Sequence, residues 1–264
     1  MAHADNPRMT GRFDHLHFAA PFVQSQDGVV SLHFTLGETQ SRMRADRPDE
    51  LQIDYTRTMM GFLLLQPQPR EIVMIGLGGG SLAKFCLRHL PTARVTVVEN
   101  NPAVIALREE FRIPGDNERF RVIAADGAVH LRECTAAIDV LLVDGFDENG
   151  QPPALCSQAF YADCRRALAR GGVLVVNLHV DDAGHDARTQ RIVDAFHGNA
   201  MQAMASGQAN CVVFAVRDGP LTIEQLRGDQ WKRALSPAGR RELEGDMALV
   251  GWNACALRVG DQAY

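Results

Sequence analysis

Four carboxylates and one glycine-rich loop are the residues here whose types and spacing could do chemistry. Glu99, Asp126 and Asp144 each stand at the end of a short apolar or β-branched run, and Asp147 follows closely. The loop Gly76, Gly78, Gly79, Gly80 ends a further run, Ile72 to Ile75. In an open parallel sheet, ligands bind outside the carboxyl ends of the strands, so these residues are expected along one edge. Gathering four acids there is costly unless something cationic or hydroxyl-rich is bound. Glycines permit a tight reversal and close approach of a ligand, and the helix that follows offers unpaired N–H groups. An acid about twenty residues beyond the glycines, ending the second strand, suits the two hydroxyls of a ribose. A nucleoside-bearing cofactor is therefore the first expectation. Plainer readings are that the glycines serve helix-to-strand packing, and that Glu99 and Asp126 cap the helices after them. Capping accounts less well for Asp144 and Asp147, because the loop GFDENGQPPAL lies between them and the next helix.

The elements that must position these residues follow from periodicity. Strand, glycine turn, helix (about Leu82 to Leu90) and strand (Val95 to Val98) make one βαβ unit. Asn101-Pro102 is a good N-cap and first-turn pair for the helix AVIALREEF. Strands are expected at Arg121 to Ala125, over IDVLLVD and over GVLVVNL, the last after a helix from about Gln158 to Ala169 that Gly171-Gly172 terminates. A helix around Arg188 to Phe196 and two strands near 200–205 and 211–216, close enough for a hairpin, complete seven strands. The fold class is α/β, a seven-stranded Rossmann-like, methyltransferase-type doubly wound sheet. Upstream, Pro21 to Arg44 alternates apolar and polar residues, with turn signals at Gln26-Asp27-Gly28 and Gly37-Glu38. It reads as a small antiparallel β-domain, too small to stand alone, after a frayed start over 1–14. A helix from about Ile53 to Leu65, stopped by Pro67 and Pro69, leads into the first strand of the βαβ unit. The expected domains are 1–52 (tail and β-domain), 53–220 (nucleoside-binding domain) and 221–264, an appendage left unassigned.

Composition bounds the function. With 264 residues, 46% hydrophobic and 22% charged, the chain can bury a proper core. No apolar run is long enough to span a membrane and no signal-peptide core is present, so a soluble, cytoplasmic protein is expected. The net charge of −5 argues against binding a phosphate backbone, hence no nucleic acid, and suits a cationic substrate. Six scattered cysteines without a Cys-x-x-Cys pair read as buried reduced thiols. His179, Asp181, Asp182 and His185 could hold a metal, but polar loops after a strand commonly bind nothing, and no metal is expected. His130 reads as a packed or surface helix residue. Trp231 and Trp252 read as packing residues, either of which could cover a cavity.

At this point a family resemblance becomes specific. The chain resembles the spermidine synthases, the polyamine aminopropyltransferases, in the branch whose loop reads Gly-Leu-Gly-Gly-Gly-Ser/Thr-Leu. The matching residues are Gln40, the glycine loop, Glu99 and Asn100 in VVEN, Asp126-Gly127, VDGFDENGQPPALCSQAFY and RRALARGGVLVVN, covering about Val29 to Asn177. The resemblance implies that decarboxylated S-adenosylmethionine lies across the glycine loop, with Glu99 on its ribose hydroxyls and Asp126 on its adenine amino group. Asp144 would take the proton from an acceptor amine, Asp147 would hold the polyamine cation, and Gln40 and Tyr55 would line the same cavity. A homodimer or higher homo-oligomer is also implied.

This sequence departs from the family pattern in three places. Gly79 stands where the family's loop usually carries an Asp for the donor's free amino group, with Asp54 the nearest replacement. Asp54-Tyr55-Thr56-Arg57 replaces a Tyr-His/Gln-Glu motif, and Gly145-Phe146-Asp147-Glu148 replaces Ser-x-Asp-Pro. The alternatives are an S-adenosylmethionine methyltransferase and a non-catalytic nucleoside-binding descendant. Against the first, an acid would be expected two residues before the first glycine, where Met74 stands.

Overall fold

Apolar runs without a polar face must be buried on both sides, and in the computed structural model these runs form the middle of a seven-stranded sheet. The structure describes residues 20–35, 39–135, 137–147 and 149–256, without the side chains of Asn253, Cys255 and Ala256. The expected frayed start and the Gly37-Glu38 turn lie outside the described residues.

The chain opens with the expected antiparallel meander of β1 (Phe22–Gln26), β2 (Val29–His33) and β3 (Ser41–Arg44). Asp27 and Gly28 both have positive φ, +51° and +76°, the conformation a two-residue hairpin needs to match strand twist. Next comes α1 (Asp54–Met59), which tightens into a buried 3-10 turn, Met60–Leu64, where one continuous helix was expected. The sheet strands are β4 (Glu71–Ile75), β5 (Arg94–Glu99), β6 (Phe120–Ala124), β7 (Ile138–Val143), β8 (Leu168–His179), β9 (Ala200–Met204) and β10 (Asn210–Val216). Their spatial order is β6-β5-β4-β7-β8-β10-β9, with only β10 antiparallel to its neighbours.

Alternation along β4 shows the layering. Ile72 and Met74 join an apolar cluster with residues of α1, α2 (Ser81–His89) and α9 (Pro237–Ala256). Val73 and Ile75 join a second cluster with residues of α4 (Gly127–Glu133), α5 (Gln158–Ala167) and α6 (His185–Ala195). Two boundaries differ from expectation. The helix after Asn101 is short, α3 (Pro102–Ala106), and relaxes into turns up to Phe111. Gly171-Gly172 does not terminate α5, which ends at Ala167; both glycines lie inside β8, where the register against β7 shifts. A bulge there uses the positive φ of Gly171, +75°.

The C-terminal segment is helical: α7 (Ile223–Arg227), α8 (Trp231–Ala234) and α9. Leu243, Met247 and Val250 of α9 bury against the sheet, while Glu242 accepts from the Leu51 N–H (2.6 Å) and Asp246 pairs with Arg57 (3.1 Å). The segment that the pattern left unassigned thus covers one sheet face and ties down the lead-in to α1. No described helix is long and apolar enough to cross a membrane.

Candidate active site

The chain leaves β4, winds outward through β5 and β6, then returns to the other side of β4 as β7. The strand order reverses between β4 and β7, which is where such sheets open a crevice. Strand ends are held together there: the Gly76 N–H donates to the Val98 carbonyl (2.9 Å) and the Asp144 N–H to that of Ile75 (2.9 Å). Gly76 (φ +99°) lies so close to the Asp144 carbonyl that any Cβ would clash with it. A cavity of about 400 Å³ opens at this point, between the sheet edge and the β-meander.

All four acids line it. Glu99, on β5, is buried, and each of its oxygens accepts one backbone N–H, Oε2 from Leu77 and Oε1 from Asn101, both at 2.8 Å. Burial pushes its pKa up, and these N–H groups, with that of Asn100, pull it back. A carboxylate has about four acceptor positions, so Glu99 retains acceptor capacity for a ligand hydroxyl. The capping account fails for Glu99, because Asn101 itself caps α3 by accepting from the Ala103 N–H (2.9 Å). It holds for Asp126, whose Oδ1 accepts from the Val129 N–H (2.8 Å) at the start of α4, while the residue also faces the cavity.

Asp144 stands one residue past β7. Its Oδ1 accepts from Asn177 Nδ2 (2.9 Å) and its Oδ2 from the Tyr55 hydroxyl (3.2 Å). Burial raises its pKa, and the Asn177 and Tyr55 hydrogen bonds and the nearby His179 counteract it. Tyr55 is pushed well above the usual phenol range, first by burial and then by the charge of Asp144. Asp147 sits in a closed turn, with paired backbone bonds to Gly150 (2.9 and 3.2 Å) and Oδ1 accepting from the Asn149 N–H (2.7 Å). Beside it, Phe146 stacks on His179 at 4.7 Å between ring centroids.

Gln40, Gly78, Asn100 and Gly127 also line the cavity, as do Gly76 and Tyr55. Three expected residues do not. The Asp54 carboxylate is taken up by the Tyr55 and Gly207 N–H groups (2.8 and 2.5 Å) and the Ser206 hydroxyl (3.3 Å), which tie α1 to the β9–β10 turn. It does not line the cavity. Gly79 is covered, since a Cβ there would lie 2.5 Å from Ser41 Oγ and 2.7 Å from the Phe111 ring, and Gly80 packs on Ile113. Both shape the loop without facing the ligand space.

The pattern passed over Asn177, Ser41 and Ser81. Asn177 carried a signal, as the one polar residue closing the apolar run GVLVVN beside Asp144. Ser81 closes the glycine-loop motif, whereas Ser41, 3.5 Å from it, comes from a distant element and carried none. In the histidine-containing stretch, Asp182 is held by Arg188 (2.5 Å), and among the described residues no group of three or more His, Cys, Asp or Glu is placed to hold a metal. His130 lies on α4, Trp231 is buried and Trp252 is 75% exposed; none of the three lines the cavity.

Comparison with known proteins agrees with this geometry. The family model "Spermine/spermidine synthase domain" matches residues 52–218. The polyamine aminopropyltransferase of Chromobacterium violaceum is 36% identical over 86% of this chain and 84% of its own. That of Neisseria meningitidis is 38% identical over 84% of this chain and 87% of its own. Among solved structures, a probable spermidine synthase from Corynebacterium glutamicum superposes with a TM-score of 0.67 at 21% identity, covering 85% of this chain and 84% of that one, which shows the shared fold. A glycine loop after β4, acids at the ends of β5, β6 and β7, and a family match over most of the chain lead to one conclusion: the protein belongs to the spermine/spermidine synthase family.

Proposed function

We propose that the protein is an aminopropyltransferase, moving an aminopropyl group from decarboxylated S-adenosylmethionine to a polyamine or related amine and releasing 5′-methylthioadenosine. The observation that carries this is the charge of the cavity: Glu99, Asp126, Asp144 and Asp147 line it, and among the described residues no Lys, Arg or His does. Such a cavity suits a sulfonium donor ending in an ammonium and an acceptor that is itself a cation. S-Adenosylmethionine would add a carboxylate with no cation among the lining residues to meet it, which disfavours methyl transfer.

Within this reading Glu99 binds the ribose diol and Asp126 the adenine amino group through the oxygen its cap leaves over. Ser41, Ser81 and Gln40 give the donor's ammonium neutral acceptors beside the loop, where Gly79 supplies no acid. An acceptor amine of solution pKa about 10.4 is protonated and non-nucleophilic at neutral pH. Asp144 takes that proton, the freed nitrogen pair attacks the propyl carbon, and the carbon–sulfur electrons leave on sulfur. A neutral thioether is the other product. Asp147 anchors the far ammonium of the acceptor. Tyr55 and Asn177 hold the Asp144 carboxylate in place.

The test is mass spectrometry of products from either S-adenosylmethionine or its decarboxylated form with a panel of di- and polyamines, using wild type, Asp144→Asn and Asp147→Asn. Expected are methylthioadenosine from the decarboxylated donor only, kcat down about 10²- to 10⁴-fold in Asp144→Asn, and a raised acceptor KM in Asp147→Asn. Methylated product, or near-normal turnover by Asp144→Asn, overturns the reading.

A further inference from the structure

Asp144, Asn177 and Asn210 follow one another across three adjacent strand ends. Val143 pairs with Val176, which places Asp144 next to Asn177. Asn177 pairs in turn with Val212 of antiparallel β10, so Asn210, two residues from Val212, is its diagonal neighbour on the same face. The side chains are linked: Asn210 Nδ2 donates to Asn177 Oδ1 (3.0 Å), and Asn177 Nδ2 donates to Asp144 Oδ1 (2.9 Å). Asn177 is 1% exposed, so no bulk water competes for its amide.

An amide has one donating and one accepting end, and this gives the chain a direction. As it stands, every group donates toward Asp144, which suits a carboxylate. Turning both amides over reverses the chain, and Asn177 then offers its carbonyl oxygen to Asp144, which suits only the protonated acid. A base must be ionised to act, so the direction of the amide pair and the activity of Asp144 are coupled.

We propose that Asn210, which touches neither cavity nor reacting atoms, is a positioning residue: by donating to Asn177 it holds the relay pointing at Asp144 and keeps that carboxylate ready to accept the proton of the substrate amine. The inference rests on the reading of Asp144 as the base. The titratable groups facing Asp144 are Tyr55 from α1 and His179 from β8, with Glu99, Asp126 and Asp147 around the same cavity. None of them lies on β10.

The experiment compares the pH dependence of kcat for the full chain in wild type, Asn210→Asp, Asn210→Leu and Asp144→Asn, with one amine and the decarboxylated donor. A carboxylate at 210 can only accept, so Asn210→Asp reverses the relay. Its acid limb should move to higher pH by about one unit, which is about tenfold lower kcat on that limb, with recovery in alkali and an unchanged KM for the donor. Asn210→Leu adds no charge and removes only the donor, and a smaller shift in the same direction, about threefold in kcat, is expected. The amine's own titration is common to all four proteins and drops out of the comparison. Wild-type acid limbs in both Asn210 variants, or a pH-independent loss accompanied by a higher donor KM, would overturn the positioning role. Near-normal turnover by Asp144→Asn would instead remove the base on which it depends.

Discussion

Replacing Glu99 by Gln looks at first like a clean deletion of one charge at the ribose site, and the geometry says that it is more. Both carboxylate oxygens accept backbone N–H groups, from Leu77 in the glycine loop and from Asn101 at the head of α3, each at 2.8 Å. An amide has a single acceptor oxygen, so in either orientation its NH2 must face one of these N–H groups. One buried donor loses its partner, which costs about 1 to 3 kcal/mol. At about 2 to 4 °C per kcal/mol for a chain of this size, thermal unfolding should begin several degrees earlier. The charge-assisted hydrogen bonds to the ribose add a separate loss in binding of about 1.5 to 3 kcal/mol, or about ten- to 150-fold in Kd. Differential scanning calorimetry without ligand and titration calorimetry with 5′-methylthioadenosine read the two effects separately. If Glu99→Gln keeps both the wild-type melting temperature and the wild-type Kd, the carboxylate does not do what its hydrogen bonds imply.

Three further outcomes follow from the same structure. Asp144→Asn should lose activity and, as pH rises, gain stability relative to wild type: burial raises the folded pKa of Asp144, so its ionisation favours the unfolded chain as pH climbs above the ordinary aspartate value. The difference in denaturant midpoint between the two proteins should be constant in strong acid and move in the variant's favour through that window. Gly79→Ala should destabilise by about 1 to 3 kcal/mol by overpacking against Ser41 and Phe111, measured by denaturant unfolding, and wild-type stability would show that this contact yields freely. Lys84 is buried on the Phe111 carbonyl (2.7 Å) with a pKa lowered to about 8, so the folded chain sheds its proton before the unfolded chain does. Wild type should therefore gain stability between about pH 8 and 10.5, by about 3 kcal/mol at most, relative to Lys84→Met, and parallel pH curves for the two proteins would contradict this.

What the sequence determined by itself is what depends on local pattern. Apolar runs bounded by glycine or an acid gave the order of strands and helices, and the rule that parallel strands present their carboxyl ends together gave Glu99, Asp126, Asp144 and the loop as neighbours. The glycine at 76 could be read as a close-approach position because almost no other residue tolerates a tight turn at a strand end. Tertiary structure decided what depends on direction and on distant partners. Asp54 and Tyr55 are adjacent in sequence, yet the helix turn aims the phenol at Asp144 and the carboxylate at the β9–β10 turn, which holds it with two hydrogen bonds. Gly79 reads as a ligand-facing loop glycine until Phe111 and Ser41 are seen to cover it. Asn177 and Asn210 are separated by a helix and a strand, and only the antiparallel return of β10 beside β8 makes them diagonal neighbours able to pass a hydrogen bond to Asp144. A periodic pattern reports which face of an element is apolar, but it carries no information on which remote polar groups meet across strands, because those meetings are set by register and packing.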